Sequence, residues 1–267
     1  MKFVMLTLSV ALVAAAAAPS LCAQETVDGF VARKYTNSAG ATLPYRLFIP
    51  RGYDKGRTYP LVVFLHGGWG RGSDNLKQLS EGNAVGPHVW TREATQSKNP
   101  AFVVVPQTPE GETWGGPENS ELSPSARLML EIVEGLLREF SIDRARLYLT
   151  GQSLGGYGTW DIIVRRPDMF AAAVPLCGSG RLDRAPYRTT YSPSELKKIV
   201  DMPMWVFQGA EDENVPVAGV RETVAALRKL GSKVKYTEYA GVGHAVWEKA
   251  YEDPELIDWM FAQRRPH

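Results

Sequence analysis

Short apolar segments alternate with longer amphipathic ones along most of the chain. The short segments predict strands, at residues 26–36, 43–50, 60–65, 101–105, 147–149, 170–176, 203–208 and 234–239. The longer segments predict helices, at residues 123–140, 154–166, 216–230 and 245–263. Ser125 is a candidate cap for the first of these helices. This alternation implies an α/β fold with a mostly parallel central sheet, helices on both faces and an antiparallel hairpin formed by the first two strands.

The N-terminal segment differs from the rest of the chain. A short basic start precedes an apolar, alanine-rich run at residues 3–18, and the small residue Ala23 offers a cleavage site. The run is shorter than the roughly 20 residues that cross a bilayer, which disfavours a membrane anchor, and the residues before Cys22 form a poor lipobox. We therefore predict a signal peptide at residues 1–23, a single domain at residues 24–267, and a secreted or periplasmic protein without a stable membrane anchor.

Composition narrows the classes of partner and cofactor. The 267 residues carry a net charge of +1, which argues against nucleic acid or an anionic membrane surface as a main partner. After cleavage Cys177 is the one remaining cysteine, so no internal disulfide is expected. The spaced motifs of metal, dinucleotide and nucleotide-phosphate sites are missing, so we predict neither a metal nor another cofactor.

A serine stands in the pattern G-x-S-x-G between a predicted strand and a predicted helix. Gly151 and Gly155 flank Ser153 at two-residue spacing. A sharp turn of this kind forces the serine into a strained backbone conformation and holds its hydroxyl out above a helix N-terminus. The pattern predicts a nucleophile, and a glycine-rich turn that only packs a helix on the sheet is the alternative.

A nucleophilic serine needs a base, and histidines are scarce in this chain. In a strand–turn–helix arrangement of this class the acid and then the histidine follow the serine. His244 and His267 are the histidines after Ser153, and His267 is the terminal residue. His244 lies in a turn between the last predicted strand and helix, so we predict it as the base. A helix-capping role is the alternative.

The acid that orients the base is expected after the strand at residues 203–208. Three acids follow that strand together, and of these Asp212 is the first choice and Glu211 the second. Asp201 precedes the same strand and is expected at the other end of the sheet. The alternative for the acidic cluster is a solvated loop before a helix whose dipole favours negative charge.

The negative oxygen of a tetrahedral intermediate needs preset hydrogen-bond donors. One expected donor is the backbone N–H of Leu154, next to the nucleophile. The second is expected from the loop after residues 60–65, at Gly68 or else Trp69. We interpret His66 as structural, because its ring follows the strand directly and can hold this loop by hydrogen bonds.

Several residues are candidates for contacting a substrate. Trp69 and Trp114 lie on predicted loops and are candidates for an apolar wall against an acyl or aromatic group, and Gln152 and Trp247 adjoin catalytic candidates. For Trp247 and for Trp160 a place in the core is the alternative. Three arginines of the polar segment before residue 201 are candidate sugar or acidic-substrate contacts, with a solvated loop as the alternative: Arg181, Arg184 and Arg188.

Together these segments resemble the α/β-hydrolase superfamily. The resemblance covers about residues 42–264 and rests on LHGG, VPQTPEGETW, TGQSLGGYGTWDIIVRRPDMFAAAVPLCG, GAEDENVP and GVGHAVWEKAY. Within the superfamily they are similar to phospholipase/carboxylesterase-like and feruloyl-esterase-like secreted hydrolases, some of them labelled predicted peptidases. The resemblance implies Ser153 as nucleophile, His244 as base and, through GAxDxxVP, Asp212 as acid. Such relatives often have alanine at the position of Gly68 and methionine at that of Leu154, changes that leave a backbone donor in place.

These observations predict a secreted serine carboxylesterase. It is expected to hydrolyse short acyl, acetyl or feruloyl esters, free or linked to polysaccharide, through an acyl-enzyme. No long apolar lid helix is present in the sequence, which makes long-chain lipids less suitable substrates. A serine peptidase with the same three residues is the alternative, and a non-catalytic binding module is disfavoured because all three residues are present.

Overall fold

The computed structural model describes residues 26–117, 121–179 and 188–266. The predicted signal peptide lies outside these ranges, and so do Arg181 and Arg184. In the described ranges no helix has both the length and the hydrophobicity that crossing a bilayer requires.

The described residues form one nine-stranded sheet with helices packed against it. The strands are β1 Thr26–Val27, β2 Phe30–Thr36, β3 Thr42–Phe48, β4 Tyr59–Leu65, β5 Phe102–Pro106, β6 Ile142–Gln152, β7 Ala172–Leu176, β8 Trp205–Gly209 and β9 Lys235–Tyr239. The α-helices are α1 Val85–Thr91, α2 Glu93–Lys98, α3 Pro124–Glu139, α4 Leu154–Arg165, α5 Pro193–Leu196, α6 Val217–Lys229, α7 Trp247–Ala250 and α8 Pro254–Phe261. Short 3-10 helices lie at Gly68–Gly70, Lys77–Leu79, Glu81–Asn83 and Lys197–Ile199.

The strand order confirms the predicted α/β fold. From edge to edge it is β1-β2-β3-β5-β4-β6-β7-β8-β9. The pairs from β1 to β5 are antiparallel, and those from β5 to β9 are parallel. The first predicted strand is in fact two, because Asp28 and Gly29 adopt positive φ angles of 50° and 84° and turn the chain back.

Apolar residues on both faces of the central strands explain their continuous hydrophobic runs. In β4, Leu61 and Val63 join a core cluster with α3, α4 and α6, whereas Val62 and Phe64 join a second cluster with α1 and α8. Strands covered on both faces have no solvent side, so their sequences do not alternate. The helices therefore cover both faces of the central strands, and the candidate site lies at the carboxyl ends of these strands.

Two helix predictions need correction. The helix predicted at residues 245–263 is divided into α7 and α8, because the Asp253 side chain accepts a hydrogen bond from the Glu255 N–H and Pro254 starts a new helix. Helix α3 is capped by Ser123, whose hydroxyl accepts from the Ala126 N–H at 3.1 Å, and not by Ser125. Pro124 and Pro254 are the first residues of α3 and α8, so proline predicts these two helix starts better than the spacing of apolar residues does.

Candidate active site

Ser153 occupies a strained turn between β6 and α4. Its φ and ψ angles are 53° and −115°, in a region that L residues rarely adopt. The turn is tight because α4 lies directly on β4: a Cβ on Gly155 would lie 1.9 Å from the carbonyl oxygen of Leu65. The N–H of Ser153 donates to the Leu176 carbonyl at 3.0 Å, which fixes the turn against β7. The serine hydroxyl therefore has a fixed position above the start of α4.

A chain of hydrogen bonds joins Ser153, His244 and Asp212. Nε2 of His244 lies 2.9 Å from Oγ of Ser153. Nδ1 of the same ring lies 2.8 Å from Oδ2 and 3.0 Å from Oδ1 of Asp212. Ser153 follows β6, Asp212 follows β8 and His244 follows β9. Because these strands are parallel, their three loops meet at the carboxyl ends of the strands. The three residues predicted as catalytic therefore meet.

Asp212 is held rigidly in its orientation. Its carboxylate is inaccessible to solvent and accepts from the backbone N–H groups of Asn214 at 2.9 Å and Val215 at 2.8 Å. Nε2 of Gln208 donates to it at 3.1 Å. Glu211, the second choice, is exposed, so Asp212 is the acid that faces the histidine.

The loops that carry Asp212 and His244 touch through their backbones. A Cβ on Gly209 would lie 2.2 Å from the carbonyl oxygen of Gly243 and 2.4 Å from that of Val242. The N–H of Glu211 donates to the Val242 carbonyl at 2.9 Å. Glycine at position 209 therefore permits the approach that brings the acid to the base.

His66 holds the loop after β4, as the sequence suggested. Its side chain is fully buried, with Nδ1 donating to the Gly67 carbonyl at 2.7 Å and Nε2 accepting from the Thr108 N–H at 3.1 Å. These two contacts require the neutral ring. Burial lowers the pKa of His66 to about 4.

The buried ring of His66 makes the stability of the fold depend on pH. The unfolded chain takes up a proton near pH 6.5 but the folded protein only near pH 4, so the free energy of unfolding should fall by about 3 kcal/mol as the pH drops through this window. His66→Asn, which keeps a donor toward the Gly67 carbonyl, should be less stable at neutral pH but should lack this decrease. Urea unfolding of both proteins at several pH values between 7.5 and 4.5 measures the difference. Parallel curves for the two proteins would contradict the assignment.

Two backbone segments supply the expected donors for a developing oxyanion. Leu154 is the first residue of α4, so its N–H has no acceptor within the helix. Gly68 and Trp69 begin the short helix Gly68–Gly70, which follows Gly67 directly. Asn83, which the sequence did not single out, fixes this loop by accepting from the Gly67 N–H at 2.7 Å. These positions support the expected pair of donors, Leu154 and either Gly68 or Trp69.

The four substrate-binding candidates have different surroundings. Trp69 is 76% exposed, and the partly buried Trp247 packs its ring at 89° to that of His244 with 5.3 Å between centroids. Trp114 is fully buried instead of lining a wall, and its Nε1 donates to the His66 carbonyl at 3.1 Å. Gln152 is also buried, and its Nε2 donates to the Gly82 carbonyl at 2.5 Å. Trp114 and Gln152 therefore hold two loops of the site by hydrogen bonds to the carbonyls of His66 and Gly82. Because both side chains are buried, they do not present a surface to substrate.

Arg188 is an anchor and not part of a solvated loop. Its side chain is 7% exposed, forms an ion pair with Glu195, and lies over the ring of Tyr191 at 4.6 Å. The guanidinium lowers the pKa of Glu195 to about 2. The Arg188 N–H donates to the Gly116 carbonyl, and Asp161 of α4 accepts from the Gly116 N–H, so these segments are tied together beside the site.

Three groups of the kind that bind metals lie together at the site. The ligand atoms of Cys177, Asp212 and His244 are all within 4.8 Å of one another. Both ring nitrogens of His244 are already engaged, Nδ1 by Asp212 and Nε2 by Ser153. The hydrogen-bond chain to Ser153 therefore explains the positions of Asp212 and His244.

The fold is that of an α/β-hydrolase. Three features define it: the strand order, the strained turn at Ser153, and the three loops that meet at the carboxyl ends of the strands. The chain belongs to the dienelactone hydrolase family, whose model matches residues 47–256. This confirms the superfamily that the sequence motifs indicated.

Known proteins similar to this chain include named esterases. A thermostable esterase of known crystal structure is 38% identical, with a TM-score of 0.81, over 89% of this chain and 64% of that one. A probable feruloyl esterase C from Aspergillus terreus is 31% identical over 134 residues, which are 50% of this chain and 46% of the relative. An uncharacterized secreted protein from Arthroderma benhamiae is 26% identical over 212 residues, 72% of this chain and 22% of the relative. The chain thus spans less than half the length of the two curated relatives.

Proposed function

We propose that this protein is a carboxylic ester hydrolase that works through an acyl-serine intermediate. The observation that carries the proposal is the hydrogen-bond chain from Ser153 through His244 to Asp212, with distances of 2.9 and 2.8 Å. Membership of the dienelactone hydrolase family and similarity to proteins named as esterases support the same class.

In the proposed acylation, Ser153 attacks the ester carbonyl carbon. Nε2 of His244 takes the proton from Oγ, and Asp212 stabilises the imidazolium that forms. The carbonyl oxygen becomes an oxyanion, which the N–H groups of Leu154 and of Gly68 or Trp69 are proposed to bind. When the intermediate collapses, His244 returns the proton to the leaving alcohol oxygen and the acyl group stays on Ser153.

Deacylation repeats these steps with water as the nucleophile. Nε2 of His244 takes a proton from the water, which attacks the acyl carbon, and then returns it to Oγ of Ser153. The fixed tautomer matters in both halves of the cycle. Because Asp212 accepts from Nδ1, the other nitrogen is free of its proton and ready to act as a base.

We also propose short acyl or feruloyl esters, free or linked to polysaccharide, as substrates of an exported enzyme. Similarity to a probable feruloyl esterase and to a protein named as secreted supports this choice, as does the signal-like segment before residue 24. The described residues form a single sheet, in keeping with one catalytic domain after that segment.

A panel of esters with one alcohol and different acyl groups tests the proposal. Methyl or ethyl esters of acetate, butyrate, octanoate and ferulate, assayed with the mature protein, should include at least one that is hydrolysed with kcat/KM above about 10⁴ M⁻¹s⁻¹. The ranking separates short-chain from feruloyl preference. Peptide and anilide substrates serve as the comparison, and turnover of amides without turnover of any ester would favour a serine peptidase instead.

A further inference from the structure

The indole of Trp69 lies largely in water beside the candidate active site. It is 76% exposed, whereas Leu76, at 41%, is the next most exposed large apolar side chain of the described residues. Large exposed apolar groups next to a cleft mark binding surfaces, and tryptophan is enriched in such places. No role in catalysis calls for this side chain, because the proposed oxyanion donor at this position is a backbone N–H.

A second indole borders the same place from another loop. A Cβ on Gly82 would lie 3.6 Å from Cε3 of Trp69 and 3.9 Å from Cζ2 of Trp247. We call Trp69 and Trp247 the tryptophan pair. Gly82, the glycine between them, is held from below by the side chain of Gln152, the residue before the nucleophile. A methyl group at position 82 would be in van der Waals contact with both indoles, so Gly82 adjoins both rings.

The tryptophan pair lies on the histidine side of the site. The ring of Trp247 packs against the ring of His244, with 5.3 Å between their centroids. In the proposed reaction Nε2 of His244 must reach the alcohol oxygen in order to protonate it as it leaves. The alcohol part of the ester therefore departs next to His244, the residue against which Trp247 packs.

We infer that the tryptophan pair is the subsite for the alcohol part of the substrate and that this alcohol is a sugar ring. The inference rests on the proposed esterase function. A sugar ring can place its face of C–H groups on an indole while its hydroxyl groups stay in water, which suits an indole as exposed as that of Trp69. An aromatic acyl group would instead gain most from a buried pocket, because its stabilisation grows with the apolar area removed from water.

Esters that share an acyl group and differ in the alcohol test this inference. The acetyl and feruloyl esters of ethanol are compared with the same acyl groups on a xylo-oligosaccharide. In Trp69→Ala the ratio of kcat/KM for the sugar ester to that for the ethyl ester should fall by at least about tenfold, mainly through a higher KM for the sugar ester. A general loss of activity caused by disturbing the loop affects both esters and cancels in this ratio. Trp69→Phe keeps an aromatic ring and should restore part of the ratio. Leu230→Ala, which removes an exposed apolar side chain at the other end of the sheet, is the matched control and should leave the ratio unchanged.

Transfer of the acyl group gives a second, independent measurement. Free xylo-oligosaccharide added during hydrolysis of an ethyl ester should compete with water for the acyl-enzyme, and Trp69→Ala should lower the proportion transferred to sugar. Two results in Trp69→Ala would overturn the inference. One is an unchanged ratio of kcat/KM between the sugar ester and the ethyl ester. The other is a changed ratio between the acetyl and feruloyl esters of the same alcohol, which would mean that the tryptophan pair binds the acyl group. Failure of the wild-type protein to hydrolyse any ester would instead overturn the proposed function and with it this subsite.

Discussion

Ser153→Ala should lower kcat/KM for any ester substrate by about 10⁴- to 10⁶-fold. The variant loses the one hydroxyl that lies 2.9 Å from Nε2 of His244, so no acyl-enzyme can form. His244→Ala should lose a similar amount, and the double variant should be no worse than either single one, because the two groups act as a unit. Steady-state hydrolysis of the best ester of the panel measures all three, and mass spectrometry of the wild type after quenching should detect an acyl group on Ser153.

Asp212→Asn provides a finer comparison for the same site. The amide keeps the size of the carboxylate but can present an N–H to Nδ1 of His244, which favours the wrong tautomer and should cost about 10³- to 10⁴-fold in kcat. Glu211→Gln changes the neighbouring exposed acid and should leave kcat within about twofold, since surface changes away from a site have small effects. Equal losses in the two variants, or activity retained by Ser153→Ala, would contradict the proposed roles.

Gly155→Ala should prevent stable folding or lower the free energy of unfolding by at least about 4 kcal/mol. The new Cβ would lie 1.9 Å from the carbonyl oxygen and 2.6 Å from the carbonyl carbon of Leu65. Both atoms belong to the backbone of β4 in the centre of the sheet, so neither can rotate away as a side chain would. Urea unfolding measures the loss, and a failure to obtain soluble protein is the extreme form of the same result.

Gly135→Ala is the matched control for this variant. Gly135 also lies within a helix, but the nearest atom to its added Cβ is a guanidinium nitrogen of Arg138 at 3.9 Å. Alanine should therefore stabilise α3 by about 0.5 to 1 kcal/mol, because it loses less conformational freedom than glycine on folding. A similar midpoint of unfolding for both variants would show that the close approach of α4 to β4 is not rigid.

The exposure of the tryptophans near the site could not be predicted from the sequence. Trp69 and Trp114 look alike in the sequence, each on a loop among glycines, yet one is 76% exposed and the other fully buried. The difference arises because Gly158 of α4 leaves room for Trp114: a Cβ there would lie 2.2 Å from Cβ of the tryptophan. A contact between residues so far apart in the chain depends on the packing of α4 and leaves no local signal near Trp114.

The orientation of the acids in the loop after β8 also depends on the tertiary structure. Asp212 and Glu211 are both carboxylates, and spacing to Ser153 or His244 does not separate them. The backbone turn does, because N–H groups of Asn214 and Val215 bind one carboxylate and draw it inward, whereas its neighbour points to water. Position along the sheet edge came from the strand pattern, but orientation came from these short hydrogen bonds.

By itself the sequence determined the fold class, the place of Ser153 at the strand-to-helix turn and the choice of His244, because periodicity, glycine spacing and chain order are local or nearly local properties. Only the tertiary structure decided which residues surround that serine. It joined three loops that are distant in the chain through the parallel sheet, buried Trp114 and Gln152 beneath them, and left Trp69 and Trp247 beside the base. Such contacts depend on how helices and strands pack on both faces of the sheet, which no single segment encodes.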